Sequence, residues 1–195
     1  MIESSSSSPA ESRGAPRRRQ ITDAALAVLA AEGARGLTHR AVDRAAGLPE
    51  GSTSNAYRSR AALMEAALER HVELELVPFP DLGGVSLTPA QTRTLVLAAL
   101  DHVLRDRTLL IARYELVLES TRREALHDEL GGARERFVAI AEQFLQAGGC
   151  GTPRAHAVQL VAVLDGLLLD QVLDADCHLD RPGIEAVVDR FLATC

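Results

Sequence analysis

Residues 37–60 read LTHRAVDRAAGLPEGSTSNAYRSR. The segments on either side are rich in Ala, Leu, Arg and Glu, which favour helices. The centre of the stretch is instead rich in Gly, Ser, Thr and Asn, whose polar side chains compete with the backbone for hydrogen bonds. This centre is therefore either a plain loop or a short helix whose side chains serve a purpose other than helix stability.

The order of the helix signals favours the short helix. Thr38 is a natural N-cap for one helix, Gly47 ends that helix, and Leu48-Pro49 begins the next segment. Gly47 is expected to supply the positive φ of the turn. Two short helices joined in this way form a helix-turn-helix, whose second helix lies in the major groove of DNA. Small polar side chains suit that position, because they reach base edges without pushing the helix out of the groove.

The rest of the chain is predicted to be helical, since no strand pattern appears. Residues 1–16 are rich in Ser, Pro and Gly and are expected to form a disordered tail. A first helix follows the arginines at 17–19 and ends at Gly33 as a left-handed αL cap. Ser59 and Thr88 are candidate N-caps. The longer helices are expected near residues 59–77, 89–105, 107–120, 122–147, 153–175 and 182–194.

These signals predict an all-α fold in two parts. An N-terminal three-helix helix-turn-helix DNA-binding head covers residues 17–62, and a C-terminal helical bundle for ligand binding and dimerisation covers residues 63–195. Residues 1–60 carry 9 Arg against 6 acidic residues, whereas residues 61–195 carry 12 against 21. A basic head on an acidic body indicates that only the head approaches a polyanion.

Other classes of protein are disfavoured. The N-terminus lacks an apolar signal segment, and Asp165 and Asp170 interrupt the most apolar stretch, so we expect a cytoplasmic protein without a membrane span. The sequence contains no GxSxG, HExxH, P-loop or Rossmann motif, so we expect neither an enzyme nor a cofactor. The cysteines are odd in number and widely spaced, which argues for a reducing compartment and against a zinc site or disulfide framework: Cys150, Cys177 and Cys195.

Residues 17–68, RRRQITDAALAVLAAEGARGLTHRAVDRAAGLPEGSTSNAYRSRAALMEAAL, resemble the DNA-binding domain of the tetracycline-repressor-like (TetR) family without a gap. The likeness includes the Ala-rich first helix, the stop at Gly33, Ala-Ala-Gly before the turn, and Gly51. The ending from Tyr57 to Leu63 resembles the family's aromatic-x-Ser-Lys-x-x-Leu. The sequence departs from the pattern in three ways: Ser54 stands where many members carry tyrosine, Arg60 replaces the usual lysine, and the acidic residue expected near Ala61 or Ala62 is absent.

The resemblance implies roles for ten residues in DNA binding. Thr38 would cap the second helix and donate to a phosphate, and Arg40 and Arg44 would add charge near the DNA backbone or remain solvated surface charges. Arg60 would anchor a phosphate from the start of the next helix. The remaining residues would face the groove or flank the phosphates: Glu50, Ser52, Thr53 and Asn55 in the groove, and Tyr57 and Arg58 beside the backbone.

The resemblance also implies a ligand cavity in the C-terminal part, with the last two helices forming a homodimer. Charged and polar residues interrupt two apolar runs there, and such groups need partners when they are buried. They are therefore either members of structural ion pairs or pocket-lining groups that contact a ligand. The candidates are Arg113 and Glu115 in LLIARYELVLES, and Asp165 and Gln171 in LVAVLDGLLLDQVL.

The sequence thus favours a repressor that binds a palindromic operator as a homodimer and is released by a small-molecule effector. A regulator without an inducer is the main alternative, followed by a helical adaptor or an enzyme that lacks a recognisable motif. The apolar surfaces at 158–173 and 184–192 are expected to form the dimer interface, with Leu168 and Val188 near its centre.

Overall fold

The computed structural model describes residues 9–76, 82, 84–173 and 178–195, with side chains from residue 15 onward. Within these ranges the chain forms nine α-helices and no strand, which confirms the all-α prediction. The helices are α1 (Pro9–Gly36), α2 (His39–Ala45), α3 (Ser52–Ala56), α4 (Arg60–Leu76), α5 (Pro89–Leu104), α6 (Arg107–Ser120), α7 (Glu124–Ala147), α8 (Pro153–Val172) and α9 (Arg181–Leu192).

The predicted helix starts are confirmed where a side chain caps the first turn. Thr38 Oγ1 and Ser59 Oγ each accept a hydrogen bond, at 3.1 Å, from the amide three residues later. Thr88 forms a reciprocal capping box with Gln91, with Pro89 in the first turn. Gly47 has a φ of 63°, as expected for the turn between α2 and α3.

Helix α1 differs from its prediction at both ends. It begins at Pro9, so residues 9–16 are helical instead of a disordered tail, while residues 1–8 lie outside the described part. Proline is tolerated in a first turn, and the Ala, Glu and Arg that follow favour a helix. The regular helix is interrupted at Gly33, where a stop was expected, but the glycine has φ 69° and ψ −179°, which is extended and not the expected αL cap, and a short helical segment follows to Gly36. The Ala34 amide, which follows the break at Gly33, donates a hydrogen bond to the Glu115 carboxylate of α6 at 2.9 Å. A tertiary contact therefore satisfies this backbone donor.

Two apolar clusters organise the molecule. The first joins α1, α2 and α4 to one side of α6, and it includes Leu29, Val42 and Leu68. The second joins α5, α7, α8 and α9 to the other side of α6. Because the first cluster extends along α4 beyond residue 62, packing is continuous across the predicted boundary between head and bundle, and that boundary stays a prediction.

Helix α8 is long and apolar enough to cross a membrane by length and composition alone. It packs along α7 and contributes Leu160, Leu167 and Leu168 to the second cluster. Leu168 and Val188, expected at the centre of a dimer interface, are instead buried within the subunit's own core. Packing within the chain therefore explains only part of the apolar character of α8, since 28% of its apolar stretch is buried.

Candidate functional site: a DNA-facing helix and an apolar cavity

Asp43 docks α3 onto α2. This carboxylate is only 3% exposed, and its two oxygens accept three hydrogen bonds from the start of α3. Oδ1 accepts hydrogen bonds from the Thr53 amide at 2.7 Å and from the Thr53 hydroxyl at 2.6 Å. Oδ2 accepts a hydrogen bond from the Gly51 amide at 2.8 Å. Burial opposes the charged form, but the hydrogen bonds from Thr53 and Gly51 outweigh it and lower the pKa of Asp43. The orientation of α3 is therefore fixed by a residue that the sequence patterns did not single out.

Thr53 does not face the groove as predicted. Its side chain is fully buried, because the hydroxyl turns inward to Asp43. In a helix of five residues, one position in the first turn must face the supporting helix, and the sequence offered no means of choosing among Ser52, Thr53 and Ser54. Asn55, by contrast, is exposed on the outer side of α3.

The exposed arginines of the head are paired with acidic residues at the surface. Arg40 Nε lies 2.7 Å from a carboxylate oxygen of Glu50, and Arg44 lies 3.7 Å from Glu32. Exposed pairs of this kind contribute little to stability and are screened by salt, so a phosphate can replace the acidic partner. Arg58 is also exposed.

Arg17, from the run of arginines before the head, also reaches α3. It donates to Ser52 Oγ at 2.9 Å, and Ser52 in turn donates to the Pro49 carbonyl at 2.6 Å. The sequence showed the cluster of arginines at 17–19 but gave no sign that one of them would reach the start of α3. The structure therefore adds Arg17 to the cationic residues around this helix.

Tyr57 and Arg60 are engaged within the head. Tyr57 packs against the first cluster, with the Arg18 guanidinium 5.3 Å from its ring centroid. Arg60 donates to the Leu37 carbonyl at 3.0 Å and to the Ala34 carbonyl. In this structure the Arg60 guanidinium pairs with the carbonyls exposed where α1 ends, and the phosphate contact expected of it stays a prediction.

An apolar cavity lies in the bundle between α5, α7 and α8. This bundle cavity has a volume of about 80 Å³. A second, larger cavity of about 310 Å³ adjoins it on the side of α4 and is called the α4 cavity. Four residues line both: Arg113, Phe137, Val161 and Asp165. The other walls of the bundle cavity are apolar, and they include Val96, Leu100, Ile140, Phe144, Leu160 and Leu168.

Arg113 is the centre of an ion-pair network at this partition. It donates to Glu75 of α4 at 2.6 Å and to Asp165 of α8 at 2.7 Å, and Arg134 of α7 donates to the other Asp165 oxygen at 2.5 Å. Its guanidinium also lies 5.8 Å from the Phe137 ring centroid. The two alternatives left open by the sequence both hold in part, since Arg113 and Asp165 form a structural ion pair and line the cavities.

Two residues of α4 that the sequence patterns missed complete the network. Burial opposes the charge on Glu75, but Arg113 and His71 outweigh it and lower the Glu75 pKa to about 2. His71 Nε2 lies 3.0 Å from Glu75 Oε1. Among the described residues, the buried His71 Nδ1 has no hydrogen-bond partner. The spacing of these two polar residues, i and i+4 on one face of α4, was the signal available in the sequence.

Glu115 and Gln171, for which the sequence left structural and pocket-lining roles open, line neither the bundle cavity nor the α4 cavity. Glu115 instead borders a separate surface pocket between α1 and α6. Glu115 faces α1, where it accepts the Ala34 amide. Gln171 donates to the Leu179 carbonyl at 2.8 Å and so holds the connection between α8 and α9. Both side chains interrupt apolar runs because they satisfy backbone groups at helix breaks, a role that periodicity does not distinguish from pocket lining.

A short helix presented by a helix-turn-helix, on a helical bundle that encloses an apolar cavity, is the architecture of a helical transcription regulator. The family model described as the tetracyclin repressor-like C-terminal domain matches residues 87–194. This match covers more than half of the chain, which therefore belongs to the TetR family of DNA-binding transcriptional regulators. No curated protein matches the sequence at a significant level.

Solved structures of known proteins agree with this assignment. A TetR-family member from Streptomyces coelicolor A3 is 34% identical, with a TM-score of 0.69 over 90% of this chain and 97% of that one. The multidrug binding protein EbrR, complexed with ethidium, is 34% identical, with a TM-score of 0.64 over 90% and 97%. A transcriptional regulator from Rhodococcus sp. Rha1 is 18% identical, with a TM-score of 0.76 over 91% and 94%, and shows the likeness of the fold.

Proposed function

We propose that this chain is a cytoplasmic, homodimeric repressor that binds a two-fold symmetric operator and is released by an apolar small molecule. The observation that carries the proposal is the position of Arg113. This residue lines both the bundle cavity and the α4 cavity and holds Glu75 of α4, and only residues 57–59 separate α4 from α3, the helix proposed to face DNA.

Three features support DNA binding by α3. Asn55 is exposed on this helix, and its amide can pair in bidentate fashion with an adenine edge. Arg58, Arg40 and Arg44 lie exposed around it and supply charge for phosphate contacts. The carboxylate of Asp43 holds α3 rigidly on α2, which reduces the entropy lost when the helix enters the groove.

The bundle cavity defines the class of effector. Its walls are almost entirely aliphatic and aromatic, as in most small-molecule sites. The adjoining α4 cavity, which shares Arg113 and Asp165 with it, adds about 310 Å³. Complexes of EbrR with imidazole, proflavin and ethidium show that a relative of this chain binds planar aromatic compounds. We infer an apolar, largely aromatic effector that has one polar group directed at Arg113 or Asp165.

The ion-pair network offers a route from this effector to the DNA. A polar group that takes the place of Glu75 on Arg113 weakens the link between α6 and α4, whereas one that takes the place of Asp165 weakens the link between α6 and α8. Because α4 follows α3 closely, a shift of α4 changes the separation of the two recognition helices of a dimer. The effector releases the operator only to the extent that it binds the shifted state more tightly than the DNA-bound state.

A stripe on the outer face of α8 supports homodimerisation. Its members are exposed in the subunit and recur at helical spacing: Val158, Ala162, Gly166, Leu169 and Leu173. Small residues at its centre allow two helices to approach closely, and large apolar residues at its ends supply buried area. An interface built from the same stripe on two subunits is self-complementary, as a two-fold dimer requires.

The operator is tested by selection from a random library of double-stranded DNA. We expect the purified protein to enrich a two-fold symmetric motif with half-sites about one helical turn apart or somewhat more. Enrichment of no motif, or of a motif without symmetry, contradicts a dimeric repressor.

The effector site is tested with ethidium and proflavin as fluorescent probes. We expect both to bind the wild-type protein and to lower its affinity for the selected operator. Arg113→Met combined with Glu75→Gln removes both members of the buried pair, and we expect this variant to bind DNA but to lose the response to the probes. Arg122→Met is the matched control, because Arg122 is an exposed arginine near the end of α6. If operator affinity in the wild-type protein does not respond to either probe, the alternative of a regulator without an inducer is favoured.

A further inference from the structure

Two cysteines and a histidine from distant parts of the sequence meet at one end of the bundle. Cys150 lies in the connection between α7 and α8, His156 lies in α8, and Cys195 follows the end of α9. His156 Nδ1 is 3.0 Å from Cys150 Sγ and 3.1 Å from Cys195 Sγ. The two Sγ atoms and the ring nitrogen all lie within 4.8 Å of one another. Spacing along the chain gave no sign of this cluster, because only the tertiary fold brings Cys195 to the other two.

The three side chains are held in place by the surrounding structure. The His156 ring packs edge-on against Phe191 of α9, at 6.2 Å between centroids and an interplanar angle of 77°. The amides of Cys150 and Cys195 donate to the Leu145 and Leu192 carbonyls, at 3.0 and 3.2 Å. Cys150 is buried and Cys195 is exposed, so the cluster has a packed side and a side that faces solvent. An ion can therefore enter from solvent and retain one open coordination position.

We propose that Cys150, His156 and Cys195 form a binding site for a thiophilic metal ion of the zinc(II) type. Two thiolates and one imidazole are a ligand set typical of zinc, with water in the fourth position. In tetrahedral zinc sites, bond lengths of about 2.3 Å to sulfur and about 2.0 Å to nitrogen place the ligand atoms roughly 3.5–3.8 Å apart. The thiols therefore need to retreat from His156 by only about half an ångström to accept the ion.

Metal binding at this site releases protons. Zinc(II) forms two Zn–S bonds while the two S–H protons leave to solvent. The two thiolate charges balance the charge of the ion. A bound ion ties the end of α9 to the beginning of α8 and stabilises the folded bundle.

Cobalt(II) and zinc(II) titrations of the reduced full-length protein test this site. We expect one cobalt ion per chain with the intense absorption of thiolate-to-cobalt charge transfer, displacement of cobalt by zinc, and a higher melting temperature with zinc. Cys195→Ser keeps the fold, since this residue is exposed, and removes one ligand. We expect it to weaken metal binding by more than the roughly 10–100-fold that loss of an outer-shell partner costs. Cys150→Ser and His156→Gln give the same result at the other two ligands.

Two matched variants complete the experiment. Cys177→Ser removes the third thiol, which lies outside the described residues, and His127→Gln removes an exposed imidazole of α7. Both are expected to bind cobalt as the wild-type protein does. The proposal is overturned if the wild-type protein binds no stoichiometric cobalt, if Cys195→Ser binds it unchanged, or if Cys177→Ser abolishes binding. Formation of a Cys150–Cys195 disulfide in air by a protein without metal affinity likewise contradicts it.

Discussion

The hydrogen bonds of Asp43 decide which side of α3 faces outward. The carboxylate holds Thr53 inside the head, and this leaves Asn55 on the outer surface. The buried carboxylate of Asp43 thus fixes the orientation of α3, so that this short helix has a defined outer face.

Thr53→Val tests this arrangement, because valine has nearly the shape of threonine but no hydroxyl. The variant loses a hydrogen bond to a buried charged group, so we expect the free energy of unfolding in urea to fall by about 1.5–3 kcal/mol. Ser52→Ala, in the same turn of α3 but partly exposed, is expected to change it by less than about 0.5 kcal/mol. Equal effects of the two substitutions contradict the assignment of Thr53 to the interior.

For the proposed DNA-binding residues, the sequence predicted some side-chain positions correctly and others wrongly. The outward positions of Asn55 and Arg58 follow from a helix after the turn at Gly47, which local signals reveal. The inward positions of Thr53 and Arg60 depend on Asp43 and on the carbonyls of the connection between α1 and α2. All four side chains are polar, so the sequence does not show which of them turn inward. The partners of the two inward side chains are known only once the helices are packed.

Helix α4 connects the head to the cavities through Glu75. The pKa of this carboxyl is about 2 in the folded chain, against an ordinary value of 4.5. Because the folded-state pKa is the lower one, ionised Glu75 stabilises the fold above pH 4.5, and this stabilisation is lost as the pH falls from 4.5 towards 2. The full difference amounts to roughly 3 kcal/mol.

The pH dependence is measured as the free energy of unfolding in urea between pH 6 and pH 3. Other acidic residues titrate in the same range, so the comparison is with Glu75→Gln, which cannot titrate at this position. We expect the stability advantage of the wild-type protein over Glu75→Gln to shrink by about 2 kcal/mol across this range. An advantage that stays constant shows that Glu75 and Arg113 do not form the buried pair.

The sequence predicted helices well where their ends carry local signals. Thr38, Ser59 and Thr88 cap three of them, and prolines or glycines separate the later ones. Helix α1 was the exception, because its break at Gly33 is completed by Glu115 of α6. The link between α4 and α6 was hidden for the same reason, since Glu75 and Arg113 are far apart in the chain and become partners only after folding.

At the scale of the whole molecule, we expect a homodimer to form through the outer stripe of α8. Leu169 is 43% exposed in the subunit, so Leu169→Glu leaves the core intact and places a charge in the proposed interface. We expect this variant to sediment as a folded monomer at micromolar concentration and to lose operator binding. The matched control is Leu118→Glu, at an exposed leucine of α6 that is 56% exposed. A dimeric Leu169→Glu protein places the interface elsewhere.

We propose that α3 reads base edges and that the neighbouring arginines bind phosphates. The most direct test is a fluorescence anisotropy titration of the selected operator and of a shuffled duplex, at several salt concentrations, with the wild-type protein, Asn55→Ala and Arg58→Ala. We expect Asn55→Ala to cost about 1–3 kcal/mol on the operator, with little change on the shuffled duplex or in the salt dependence. Arg58→Ala is expected to weaken both duplexes alike and to reduce the salt slope by about 1. An Asn55→Ala protein that binds the operator with wild-type affinity contradicts the account.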